Sequence, residues 1–238
     1  MRTADHHLFF SATILGDRIT LNADETRHAA SVLRCKPGDP LRVTDGKGVI
    51  YNCKAATVEK DEIIASIVSR DPLPPPVPEV TCFIGLPERD AFEAALENLA
   101  PLGVSTIVPV ICGFSQKPWW KPSWDVHRIR FQKKVVAGIK QSLNPWMPVL
   151  EEPLGFSEAI KQCGMLSFCG DHEGIALSEV LAKKNQAETM SCFIGPPGGF
   201  TSEERSALKK KSVIFVKLSS YRLRSELAAT VLCAAVMS

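Results

Sequence analysis

A small β-barrel followed by a larger α/β domain with a parallel sheet is the fold class this sequence predicts, and three observations carry it. Five prolines fall within residues 72–78, a stretch that can neither be helical nor enter a central strand and that favours extended polyproline II. Residues 1–71 ahead of this linker carry short, alternating, strand-like runs separated by glycine turns. Residues 79–238 behind it alternate apolar strand-like runs with helical stretches. A chain of 238 residues, 45% of them hydrophobic, buries about 70% of its unfolded surface without metal or disulfide staples.

In the first part, Ala23 to Leu33 reads as a helix ended by the Lys36-Pro37-Gly38 turn. Asp39 to Thr44 alternates apolar and polar residues and stops at the Asp45-Gly46 and Lys47-Gly48 turn signals. Val49–Cys53 and Glu62–Val68 are further strands. In the second part, strands are expected at Val80–Gly85, Thr106–Val110, Met165–Cys169, Met190–Gly195 and Val213–Leu218. Helices are expected at Asp90–Leu99, Asp125–Ser142, Ala176–Lys184, after Thr201 with its Thr201-Ser202-Glu203-Glu204 capping box, and at Glu226–Met237 with Ser225 as cap. Strand–helix alternation of this kind implies a parallel sheet covered on both faces.

The composition excludes several function classes. A net charge of +2 excludes a bulk electrostatic nucleic-acid binder, and the first 72 residues hold 10 Lys/Arg against 10 Asp/Glu. Met1 to His7 contains no apolar core of a secretory signal, and no apolar run is long enough for a membrane span, so no membrane partner is expected. The 8 cysteines form no C-x-x-C pair and several sit inside apolar runs, which points to reduced, packed thiols and a cytoplasmic location. Neither they nor the 5 histidines have ligand spacing, so no metal is expected.

Ligands of open parallel sheets bind beyond the carboxyl ends of the strands. Three loops leave such ends, at Gly170, at Gly195–Phe200 and at Ser219–Leu223. The second packs three glycines and two prolines into six residues. It is either a tight strand-to-helix turn or a backbone surface that a ligand approaches closely. No Gly-Lys-Ser/Thr follows it and no G-x-G-x-x-G is present, which removes the usual nucleotide loops. The third loop leads into Arg222, Arg224 and Glu226. Either Glu226 complements the helix dipole beside solvated arginines, or the arginines face an anionic substrate.

Residues 117–134 hold six basic residues, Lys117 and Arg128 among them, against Asp125 alone, interleaved with Trp119, Trp120 and Trp124. That mixture suits phosphates and stacked bases, or else a dimer contact or a solvated helix face with tryptophans buried at its start. Arg205 to Lys211 reads as a charged helix end. In the barrel, His28, Arg34, Lys36, Arg42, Lys47 and Lys54 could share one face.

Four segments in order resemble one family. Phe193–Glu204 (FIGPPGGFTSEE) and Leu218–Leu232 (LSSYRLRSELAATVL) are similar to the GPEGG loop and the L-G-x-R-I-L-R-x-E-T-A segment of the RsmE family of 16S rRNA uracil-N3 methyltransferases, which belong to the SPOUT class. His28–Cys53 resembles its H-x-x-x-V-L-R…G-D…DG-x-G pattern, and Pro101–Val110 its E-L-G-V-x-x-I-x-P segment. The chain departs from the pattern at Pro197, where the family has Glu, at Ser219 and Tyr221, where it has Gly and Arg, and at Leu227, where it has Thr.

The resemblance implies a PUA-like, RNA-recognising barrel over residues 1–71 and a SPOUT methyltransferase domain with a C-terminal trefoil knot over 79–238. It implies a homodimer acting on ribosomal RNA of the small subunit, with S-adenosyl-L-methionine as cofactor. Carried over by position, the cofactor residues are Gly170, Ile194, Gly195, Gly198, Gly199, Leu218 and Leu223, while Arg224 and Glu226 stand at the arginine and glutamate of the R-x-E motif. Uracil N3 carries a proton, so charge spreads onto the ring carbonyls as methyl transfer proceeds. Arg224 is the residue expected to stabilise that charge, and Glu226 either orients it, accepts the proton or caps the helix. Arg34, Lys36, Lys117 and Arg128 are the expected RNA contacts. A catalytically silent or substrate-shifted homologue that only binds RNA is the alternative.

Overall fold

Two long antiparallel strands, β5 (Val49–Val58) and β6 (Ile63–Pro72), dominate the N-terminal sheet. With β1 (Phe9–Phe10), β2 (Thr13–Leu15), β3 (Arg18–Leu21) and β4 (Pro40–Thr44) they give six strands in the order β1-β4-β5-β6-β3-β2. The computed structural model describes residues 7–31, 33–115, 124–179 and 188–238. Inward positions alternate along the strands, so Leu41, Val43, Tyr51, Cys53, Ile63 and Ala65 share one core with Phe9 and Ile19. Buried Ser11 curls the sheet toward closure: its N–H donates to Thr44 O at 2.9 Å on one side, and its hydroxyl donates to Thr20 O at 2.6 Å on the other. Helix α1 (Ala23–Ser31) follows, with Asn22 Oδ1 accepting from Glu25 N at 3.0 Å.

The chain divides into two units, and the first is not continuous in sequence: it comprises residues 1–75 together with 139–147. Three contacts explain why. Lys140 Nζ donates to the buried carboxylate of Glu25 at 2.5 Å. Trp146 Nε1 donates to Pro74 O at 2.9 Å. The Trp146 ring also lies over Gly48, where a Cβ would stand 2.2 Å from it; at φ +85° only glycine fits that close approach. The proline-rich stretch is structured at its start, since Pro72 is paired with Val49 and Leu73 N donates to Gly48 O at 2.8 Å. The proline lacks only the N–H, so an outer ladder position accommodates it.

The second unit, residues 76–138 and 148–238, is built on a parallel sheet. Its strands are β7 (Glu79–Gly85), β8 (Thr106–Ile111), β9 (Val149–Leu150), β10 (Leu154–Gly155), β11 (Leu166–Ala176), β12 (Thr189–Ile194) and β13 (Ile214–Lys217). The order is β10-β8-β7-β12-β11-β13, with β9 beside β8. The two central strands β7 and β12 are buried along nearly their whole length, as expected for a sheet covered on both faces. Phe83 and Phe193 stack across them with centroids 4.5 Å apart. The helices are α2 (Arg89–Leu102), α3 (Trp124–Ser142), the short α4 (Phe156–Ala159), α5 (Ser202–Lys210) and α6 (Ser225–Met237), the last of which packs on α2, β7 and β12.

Two expectations are corrected here. Gly170 does not end its strand: β11 continues to Ala176, with a register shift between Gly170 and Ile175. The cause is pairing with β13, helped by Gly174, where a Cβ would lie 2.3 Å from Val216 N. The helix expected from Ala176 begins at 177, and residues 180–187 of that stretch lie outside the described residues. Ser225 is not the cap of α6. That position is Arg224, with no side-chain cap bond, and the Ser225 hydroxyl donates instead to Gly195 O at 3.0 Å. Strands β1–β3, β9 and β10, only two to four residues long, carry too little pattern to be read in advance.

Candidate functional site

A cavity of about 490 Å³ opens at the ends of β12 and β13, beside the Gly170–His172 stretch of β11, within the size range of small-molecule and cofactor sites. Its walls come from residues 170–172, 194–200 and 218–223, with Arg205, Ser225 and Ala228. The glycine-rich wall is a closed turn: Gly199 N donates to Pro196 O at 2.7 Å, with Gly199 at φ +77°. A Cβ on Gly195 would meet Gly199 Cα and C at 3.0 Å and Phe200 N at 3.2 Å, all backbone atoms fixed by that turn. A Cβ on Gly170 would meet the Ile194 and Leu218 methyls at 2.8 and 3.0 Å, so the three walls converge there. Side chains lock them together. Arg222 Nη2 donates to Pro197 O at 2.8 Å, and Ser225 joins α6 to Gly195.

The opposite wall holds one cation between two carboxylates. Arg205, on the first turns of α5, pairs with the buried carboxylate of Asp171 and with Glu173 Oε2 at 2.8 Å, and lies 5.3 Å from the Phe215 ring centroid. Burial, reinforced by the Asp171 carboxylate, pushes the Cys169 thiol far up, so it packs as a neutral apolar group rather than a nucleophile. Helix α5 begins with the expected capping box: Glu204 N donates to Thr201 Oγ1 at 3.2 Å, and Thr201 N to Glu204 Oε2 at 2.9 Å. The other Glu204 oxygen accepts from Gly113 N at 2.8 Å and so ties in the loop after β8. Among the described residues no group of three His, Cys, Asp or Glu is placed to hold a metal ion, and no helix is long and apolar enough to cross a membrane.

All seven positions named as cofactor residues, Gly170, Ile194, Gly195, Gly198, Gly199, Leu218 and Leu223, line this cavity. Arg224 and Glu226 do not: Arg224 is exposed at the start of α6 and Glu226 is half-buried in its first turn. In the N-terminal unit Arg34, at φ +52°, and Lys36 are both exposed, and Lys36 N donates to Asp39 Oδ2 at 2.8 Å. The basic stretch on α3 is largely neutralised, since Arg128 pairs with Glu152 at 3.5 Å, Arg130 with Glu93 at 2.7 Å and Lys134 with Glu97 at 2.8 Å. Trp124 is buried against Phe92 and Phe131, with centroids 6.4 and 5.3 Å away, so it is core and offers no face to a base. Lys117, Trp119 and Trp120 lie outside the described residues. Sequence reasoning missed Asp171 and Arg205. Asp171 lies within the register shift of β11 and Arg205 on α5, 34 residues later, so no local pattern encodes their pairing.

The cavity fits S-adenosylmethionine in kind. It is roomy, joins apolar and polar surface, and exposes glycine-rich backbone at the carboxyl edge of the sheet, where a nucleoside is held by shape and main-chain groups. Comparisons with known proteins agree. A family model for an RNA methyltransferase domain matches residues 74–237, and one for an RNA methyltransferase PUA domain matches residues 21–68. Ribosomal RNA small subunit methyltransferase E of Aquifex aeolicus is 26% identical over 235 residues, covering 98% of this chain and 99% of the relative. The crystal structure of the Neisseria gonorrhoeae enzyme of the same name, bound to S-adenosyl methionine, superposes with a TM-score of 0.84 at 22% identity, covering 96% of this chain and 95% of the other. A Legionella pneumophila protein solved in complex with SAM gives 0.86 at 19% identity, with 96% of each chain covered. With its domain matched over more than half its length and a PUA domain ahead of it, the chain belongs to the RsmE family of RNA methyltransferases.

Proposed function

We propose that this protein transfers a methyl group from S-adenosylmethionine to N3 of a uridine in small-subunit ribosomal RNA. The observation that carries the reading is the glycine-rich cavity at the ends of β12 and β13 and along Gly170–His172 of β11, lined by all the positions at which the family pattern places the cofactor. When bound there, S-adenosylmethionine supplies an electrophilic methyl on a sulfonium. The chain's part is to hold the two reactants in line and to exclude water. The exposed guanidinium of Arg224 is assigned to the charge that develops on the uracil carbonyls, and Glu226, one turn-step into α6, to orienting it or taking the N3 proton.

As the family resemblance implies, the same reading takes the working unit as a homodimer, with the C-terminal segment threaded as a trefoil knot. The N-terminal unit, with Arg34 and Lys36 exposed, is assigned to RNA recognition in the cytoplasm, with Lys117 and Arg128 as further contacts. The test is a calorimetric titration with S-adenosylmethionine followed by mass mapping of nucleosides in rRNA from a deletion strain. Binding together with loss of one N3-methyluridine is expected. No binding at millimolar cofactor would leave a silent RNA-binding homologue instead, and unchanged N3-methyluridine would point to a different target position.

A further inference from the structure

We infer that Tyr221 is the residue on which the target pyrimidine stacks as it enters the cavity, an inference that rests on the proposed RNA methylation. Tyr221 is 85% exposed and at the same time lines the cavity, so it stands at the rim between the cofactor space and the outside. An aromatic ring left this open in water has unmet apolar surface, and unstacked bases are the usual partners of such rings in single-stranded RNA recognition. A base must leave its own stack to reach a buried methyl donor, and a ring at the rim replaces the lost stacking.

The loop is built to present that ring. Tyr221 N donates to Ser219 Oγ at 3.2 Å, and its neighbour Arg222 is anchored on Pro197 O at 2.8 Å, which fixes the backbone on both sides. Exposed Arg222 and Arg224 follow Tyr221 in the same loop and supply positive charge for the phosphates next to an extruded base. Phe114, also exposed, is not an equivalent platform, since it packs down on Gly198, where a Cβ would lie 2.7 Å from it.

The test uses the full chain and the variants Tyr221→Ala and Tyr221→Phe. Three quantities are read for each: S-adenosylmethionine affinity by calorimetry, methyl transfer to small ribosomal subunits lacking N3-methyluridine, and binding of a labelled single-stranded oligouridine. Tyr221→Ala should raise KM for the subunit and weaken oligouridine binding by roughly 10- to 100-fold, as expected for the loss of one base–aromatic stack. Tyr221→Phe should restore both to within about threefold of wild type, with cofactor affinity within about twofold throughout. Unchanged KM and oligouridine binding in Tyr221→Ala overturn the inference, as does a phenylalanine variant as poor as alanine. So does a parallel loss of cofactor affinity, which would make Tyr221 a cavity wall, or a change in sedimentation, which would make it a subunit contact. A wild-type protein that transfers no methyl to rRNA overturns the proposed function alone, and the oligouridine measurement still decides the role of Tyr221.

Discussion

Helices α5 and α6 both start beside the cavity, and their starts are made in opposite ways. At α5 the sequence closes the end on itself: Thr201 and Glu204 satisfy one another's backbone N–H groups, and the remaining Glu204 oxygen fastens Gly113. At α6 the capping position is Arg224, with no side-chain cap bond, and the one hydroxyl available nearby, that of Ser225, reaches back to Gly195 O. The first start is a finished wall, stabilised by local bonds worth on the order of 1 kcal/mol each. The second gives up local capping and uses its residues to hold the glycine-rich turn and to leave a guanidinium exposed. The contrast separates a helix start closed by local bonds from one given over to tertiary contact.

Substitutions can break this contrast. The largest effect is expected from Arg224→Ala, which should lower kcat by roughly 100- to 1,000-fold, the range for losing one preorganised charge-stabilising donor, while cofactor affinity stays within about twofold. Steady-state kinetics beside calorimetry check it, and equal loss of both would reassign Arg224 to a structural role. Next comes Gly195→Ala, which presses a methyl against the backbone of Gly199 and Phe200; S-adenosylmethionine affinity should fall by at least about tenfold. Thr201→Ala sharpens the comparison from the other side. It should cost about 1 kcal/mol in denaturant unfolding and leave cofactor affinity unchanged.

The smallest effect concerns acid. Glu203, on the first turn of α5, is held below its ordinary value of 4.5 by its own backbone N–H and then by the Thr201 and Ser202 hydroxyls. A carboxylate lowered on folding adds stability above its unfolded value and loses it as pH falls through the folded one. The melting temperature should therefore drop slightly more steeply below about pH 4.5 in wild type than in Glu203→Gln.

What was legible in the sequence was what is encoded locally. The buried runs of β7 and β12, the capping box at Thr201 and the glycine–proline turn after β12 could each be read from a few adjacent residues. Features set by distant pairing could not. The extension of β11 depends on β13, more than 40 residues downstream of Gly170, and its Gly170-Asp171 start looks like a loop until that partner is present. Ser225 was expected to cap because serine at a helix start usually does, and tertiary contact with Gly195 overrode that preference. The basic run on α3 was legible as charge but not as paired charge, since Glu93, Glu97 and Glu152 approach it only in the folded chain.

The short segment 139–147 has a consequence for how the molecule can be taken apart or inherited. Because Lys140, in the last turn of α3, and Trp146, just after it, complete the first unit, a cut at the proline-rich stretch removes Glu25's cation and uncovers Gly48. The N-terminal unit is therefore not a detachable cassette: exchanging it between relatives requires two coordinated grafts, residues 1–75 and residues 139–147. A ribosome synthesising the chain also releases the first 75 residues well before the piece that finishes them, so the first unit reaches its final form only after much of the second has emerged.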